Sequence, residues 1–166
     1  ILDIGTGSGC IAISLAKLLG QAEVEAWDVS EEALQVARRN AERNQVDVLF
    51  RKMDVLGDVP EGMLYDVIVS NPPYIAEKEK PQMEHNVLDW APSIALFVPD
   101  EDPLLFYRRI AQLGGSMLKK GGPLYYEINQ AYGQETMGML ASMGYQSIEL
   151  RKDVWGNDRM VKAKRI

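Results

Sequence analysis

Only one cysteine and one histidine occur among the 166 residues. A lone Cys10 excludes an internal disulfide and a multi-cysteine zinc site, so no metal is expected, and it suits a reducing cytoplasm. Long apolar runs are missing too. The most apolar stretches, Ile11 to Ala16 and Val67 to Val69, fall far short of the roughly 20 residues that span a bilayer, and no membrane association is expected. No basic stripe is present. Net charge is −6, and the only grouping of cations is Lys162, Lys164 and Arg165 near the end, whereas a domain gripping nucleic acid presents a basic face to the phosphates. Direct DNA binding is therefore not expected. Repeats and low-complexity segments are absent. No signal peptide and no initiator methionine appear, and the chain opens at Ile1 inside an expected strand, which reads as a piece of a longer protein.

What remains is a regular alternation of two periodicities. Ile1 to Ile4 reads as a strand, and Gly9 to Leu19 carries apolar residues at helical spacing, closed by Gly20. Val24 to Trp27 is a second strand. Ser30 is a good N-cap for a helix from Glu31 to Asn44, with acids in its first turn. Strands are expected at Val46 to Arg51 and Tyr65 to Ser70, the latter apolar enough for the middle of a sheet. A helix from Pro103 to Leu118, a strand from Pro123 to Ile128 and a helix from Tyr132 to Met143 follow. Tyr145 to Arg151 and Asp158 to Ala163 then form a hairpin around Gly156. Such alternation predicts one α/β domain over residues 1–166. Its sheet is mostly parallel and covered by helices on both faces, with an antiparallel strand from the closing hairpin at the edge. Ligands bind such sheets at the carboxyl ends of the strands.

The first of those ends is Asp3-Ile4-Gly5-Thr6-Gly7-Ser8-Gly9. Glycines at alternate positions let a ligand approach the backbone. The spacing departs from the dinucleotide fingerprint, and no phosphate-binding lysine follows, which argues against a nicotinamide enzyme. Asp3 suits a ligand bearing an ammonium group. Asp28, about 20 residues past the glycines at the end of the second strand, is placed to accept ribose hydroxyls. Asp54, after the third strand and beside Val55, is placed to accept from an adenine amino group. A nucleoside with an amino-acid tail and no phosphates is S-adenosylmethionine. Cys10, at the start of the first helix, is expected to be a small packed residue.

The fourth strand runs into Ser70-Asn71-Pro72-Pro73-Tyr74. Two prolines stiffen the turn and leave its carbonyls free to accept. An amide or aromatic amine nitrogen is a poor nucleophile because its lone pair is delocalised. The Asn71 side-chain oxygen and the Pro72 carbonyl could hold both N–H groups of such a nitrogen in line with a methyl donor, with Tyr74 against its planar face. Ile75 to Asp102 shows no convincing periodicity, and a connection of that length reads as a lid or binding loop. His85 within it is expected to be solvated.

The glycine loop, Asp28 and Asn71-Pro72-Pro73-Tyr74 together resemble the class I methyltransferases, a Rossmann-like fold with a seven-stranded sheet. The same four-residue motif occurs in adenine-N6 DNA methyltransferases and in the protein-(glutamine-N5) methyltransferases of peptide-chain release factors. Ala91-Pro-x-x-Ala-Leu96, Asp102-Pro103-Leu104, Glu127-Ile128 and Asp153-x-x-Gly156-x-Asp158-Arg159 are similar to the second group over essentially the whole chain. That resemblance implies a cytoplasmic enzyme that methylates the glutamine of the Gly-Gly-Gln motif in release factors. Gly5, Thr6, Gly7, Ser8, Gly9, Asp28 and Asn71 would contact the cofactor, and Asn71 to Tyr74 would hold the glutamine amide. Three positions depart from the family pattern: Ala91 for a glutamate, Asn129 for a glycine and Val55 for an aromatic. The family's helical N-terminal domain has no counterpart here. The alternatives are an adenine methyltransferase, which would need a recognition module and a flipped base, and a non-catalytic S-adenosylmethionine-binding module.

Overall fold

The computed structural model describes residues 1–73, 75–76, 97–98 and 101–166. Strand β1 (Leu2–Ile4), helix α1 (Cys10–Leu19), β2 (Glu25–Asp28), α2 (Glu31–Asn44), β3 (Leu49–Lys52) and β4 (Ile68–Ser70) come first. A short pair, β5 (Ile75–Ala76) and β6 (Phe97–Val98), precedes α3 (Leu105–Met117), β7 (Pro123–Glu127), a 3-10 turn (Gln130–Tyr132), α4 (Gly133–Ser142), β8 (Gln146–Lys152) and β9 (Asp158–Lys164). Local chemistry explains the boundaries. Gly20 takes a left-handed φ of 59° and its N–H closes on Ala16 O, while the Ser30 hydroxyl accepts from the Ala33 N–H ahead of Glu31 and Glu32, which complement the helix dipole.

The seven strands order as β3-β2-β1-β4-β7-β9-β8. The first five are parallel, in register Ile4↔Trp27, Ile4↔Ser70 and Ser70↔Tyr126. The antiparallel strand is not at the edge as expected. β9 returns between β7 and β8 and pairs antiparallel with both, so β8 is the edge strand and runs with the parallel set. Chain order reverses between β1 and β4, the place where open α/β sheets bind ligands.

Alternate strand residues face opposite sides. On one side Leu2, Ile4, Trp27, Ile68, Leu124 and Tyr126 pack under Tyr107, Ile110 and Met117 of α3 and Leu140 of α4. On the other, Ala12 of α1 packs on Val24 and Ala26, and α2 lies beside α1. Two expected strand starts move by more than one residue. β3 begins at Leu49 rather than Val46, and Tyr65 joins only an isolated bridge to Leu118. β5 and β6 form a parallel pair, Ile75↔Phe97 and Ala76↔Val98, where no regular structure was expected. Two-residue strands are too short to show a period, and their partners lie 22 residues apart along the chain.

Candidate active site

The glycine loop, Asp28, Asp54 and the Asn71-Pro72-Pro73 turn fall at the carboxyl ends of the strands. Gly5 to Gly9 follow β1, Asp28 ends β2, Asp54 follows β3 and Asn71-Pro72-Pro73 follow β4. Tyr74, His85 and Ala91 to Leu96 lie outside the described residues, and with them most of the expected lid.

The glycine loop is fixed from both neighbouring strands. Gly5 and Thr6 both donate their N–H to Trp27 O at 2.9 Å, which needs the left-handed φ of 74° at Gly5. A Cβ at Gly5 would stand 3.7 Å from Asn71 O and 3.9 Å from Pro72 Cα. The glycine loop and the Asn71-Pro72 turn are therefore direct neighbours across the β1–β4 switch point. Ser70 secures the same junction from below: buried, it donates from Oγ to Ile4 O at 2.6 Å. Asn71 is exposed on the rim, Pro72 is buried and Pro73 half-buried.

Asp28 binds the loop to the next helix. One carboxylate oxygen accepts the Gly7 N–H at 2.8 Å and the other the Ser30 N–H at 2.9 Å. Each oxygen keeps acceptor capacity, so ribose hydroxyls could be added to these bonds. Asp54 is exposed; its Oδ1 accepts the Leu56 N–H at 2.9 Å, while Val55 is buried in the core. The turn is held from above by Arg109 of α3, whose Nε donates to Val55 O at 2.9 Å and whose guanidinium donates to Gly57 O at 2.8 Å.

Asp3 is fully buried beneath the loop. Its Oδ2 accepts the Thr6 hydroxyl at 2.6 Å, and its Oδ1 has no hydrogen-bond partner among the described residues. Burial pushes its carboxyl up from 3.8 to about 6, against the pull of the Thr6 hydroxyl. A cationic group nearby would offset that penalty.

Not every expected residue serves the rim. A Cβ at Gly9 would meet Ile13 Cδ1 at 2.9 Å and Ala37 Cβ at 3.1 Å, so Gly9 lets α1 and α2 pack closely. Cys10 is exposed rather than packed, because the first turn of α1 buries only Ala12 and Ile13. Ser8 is exposed, and its carbonyl accepts from Asn40 of α2 at 3.0 Å. Sequence reasoning passed over Arg109, Ser70 and Asn40. The apolar strand ending in a serine was a signal for Ser70; nothing local marks Arg109, 54 residues from the carbonyl it holds.

A cleft of 980 Å³ lies at the opposite end of the strands among Ile1, Glu25, Leu49, Tyr65 and Lys119. These residues begin or precede strands, so the cleft lies at the end of the sheet opposite the glycine loop and Asn71. Among the described residues, no group of His, Cys, Asp or Glu could hold a metal, and no helix is long and apolar enough to cross a membrane.

Residues 1–94 match the family described as methyltransferase small domain. A release factor glutamine methyltransferase of Bacteroides thetaiotaomicron is 58% identical over 166 residues, covering 99% of this chain and 60% of its own length. Another so named, from Flavobacterium psychrophilum, is 51% identical, covering 98% of this chain and 57% of its own. The chain thus spans about three-fifths of the length of these curated relatives. A methyltransferase structure from Pyrococcus furiosus shares the fold, with a TM-score of 0.71 at 21% identity over 99% of this chain and 73% of its own.

Proposed function

The chain belongs to the methyltransferase small domain family, and from that premise we propose that it transfers a methyl group from S-adenosylmethionine to the side-chain amide nitrogen of a glutamine, the one in the Gly-Gly-Gln motif of peptide-chain release factors. The observation that carries the reading is the closeness of Gly5 to the Asn71-Pro72 turn, which brings the glycine loop and that turn onto one rim. Asp3, Gly5, Thr6, Gly7, Ser8, Asp28, Asp54 and Val55 form the cofactor side. The residues fit the group: a buried, incompletely bonded carboxylate for an ammonium, a two-oxygen acceptor for a ribose and a turn beside them for an adenine. Gly9 belongs to the scaffold of that loop.

S-adenosylmethionine supplies an electrophilic methyl group. The work of this chain is to orient. The Asn71 side-chain oxygen and the Pro72 carbonyl accept the two N–H bonds of the glutamine amide, leaving its lone pair free to point at the methyl. Holding both N–H bonds also favours positive charge as it develops on nitrogen. No side chain need remove a proton beforehand, since the methylated amide cation is a strong acid. Pro73 stiffens the turn and Tyr74 offers its face to the planar substrate. Residues 1–166 act as the catalytic domain of a longer, cytoplasmic protein whose N-terminal helices help grip the substrate, in line with the length of the curated relatives.

The identity of those relatives supports release factor over DNA, as does the net charge of −6. The test is transfer of labelled methyl by the full-length protein to purified release factor, to release factor with alanine at the motif glutamine, and to duplex DNA. Label on the first alone is expected, with Asn71→Ala lowering kcat on the order of 100-fold or more, as loss of a preorganised polar group does. Label on DNA, or undiminished turnover by Asn71→Ala, would overturn the assignment.

A further inference from the structure

The hairpin joining β8 and β9 ends in two exposed apolar side chains, Val154 at 89% and Trp155 at 83% exposure. Register places them on the active rim. Glu127 at the end of β7 pairs with Met160, and Asp158 with Lys152, so the tip projects past the carboxyl ends of the parallel strands. β9 and β8 stand two and three strands from β4, which at the usual strand spacing sets the tip roughly 10–14 Å sideways from Asn71.

This tip is built, not loose. Asp153 Oδ1 accepts the N–H groups of Trp155 and Asn157, each at 2.9 Å, its Oδ2 accepts from the Asn157 side chain at 3.3 Å, and Arg159 closes on the same oxygen at 3.4 Å. Gly156 turns the chain with a φ of 87°. A tryptophan on a rigid turn buries a large area at little cost in ordering, which makes it a typical interface anchor. The surrounding charges say what kind of surface it meets. Lys152 pairs with Asp158, Arg159 with Asp153, and both Arg151 and Lys162 with Glu149. Within residues 152–159 the two cations, Lys152 and Arg159, are matched by Asp158 and Asp153, so the turn itself offers no net charge to phosphates. It suits an apolar hollow on a protein.

We propose that Val154 and Trp155 form a docking contact for the protein that carries the acceptor glutamine, gripping it away from the reacting nitrogen. The proposal rests on the function given above. Its test uses the full-length protein with intact release factor and with a short peptide spanning the Gly-Gly-Gln motif. Trp155→Ala should raise KM for the intact factor at least about tenfold, as loss of an interface anchor does, with kcat unchanged. Turnover of the peptide and affinity for S-adenosylmethionine should not move. Val154→Asp should act in the same direction, and thermal melting of both variants should match the parent. An unchanged KM for the intact factor, or an equal loss with the peptide, would overturn the docking role while leaving the reaction in place. Absence of any turnover of release factor by the parent would overturn both.

Discussion

Asp3 lies buried beneath the glycine loop proposed to take the cofactor. Its carboxyl is buried with one oxygen unmatched, and burial raises it from 3.8 to about 6. Because the folded value exceeds the unfolded one, the folded state binds the proton more tightly. The associated stability is complete below pH 3.8 and is lost as pH rises through about 6; a rise of this size corresponds to roughly 3 kcal/mol. Asp3→Asn should remove that slope. In urea titrations at pH 4 and pH 7.5 the wild type should lose stability relative to the variant by roughly 1–3 kcal/mol. The variant should also bind S-adenosylmethionine more weakly. Parallel pH profiles for the two proteins would rule out the buried charge as the cause. Gly9 teaches a second lesson at this scale. The sequence shows three alternating glycines, but only the structure separates the one that meets the acceptor turn, Gly5, from the one that lets two helices touch.

Among elements, α3 links what the chain separates. It follows the segment after β6 and reaches back through Arg109 to the carbonyls of Val55 and Gly57. That clasp sets the turn proposed to hold the adenine. Arg109→Ala should cost about 1–3 kcal/mol of stability, the usual range for hydrogen bonds made by a charged group. It should also weaken S-adenosylmethionine binding several-fold, with little change in kcat at saturation. Calorimetry and steady-state kinetics on the full-length protein would read both; unchanged affinity would show that the turn holds its shape alone. Helices α1 and α2 were legible in the sequence because their signals are local, namely apolar spacing, a serine cap and a closing glycine. β4 begins later than its pattern suggests, since Tyr65 and Val67 alternate with Asp66 as a strand would, yet Tyr65 bridges Leu118 instead. Local pattern fixes an element's type more firmly than its ends.

For the whole molecule, the alternation of periods was enough to place the glycine loop, Asp28, Asp54 and Asn71 on one rim. What it could not supply were contacts made across long spans of chain. The bond from Ser70 to Ile4, the Arg109 clasp and the location of β9 all depend on neighbours far away in sequence. The substrate assignment draws on the same wide view, since an acidic molecule with a neutral apolar tip beside its site suits a protein partner better than a polyanion.

The return of β9 between β7 and β8 has a consequence for biosynthesis. Among the described residues β8 pairs with β9 alone, and β7 offers an open edge until β9 fills it. A ribosome extends the chain from its N-terminus, so β8 leaves the exit tunnel before the strand it pairs with. The sheet therefore closes late, and the nascent chain carries an unprotected edge for the interval. Stalled chains with residue 157 just outside the tunnel should be cut readily by protease within residues 123–152, and chains with residue 166 exposed should resist. Equal protection at both lengths would show that β1 to β7 consolidate without their last partner.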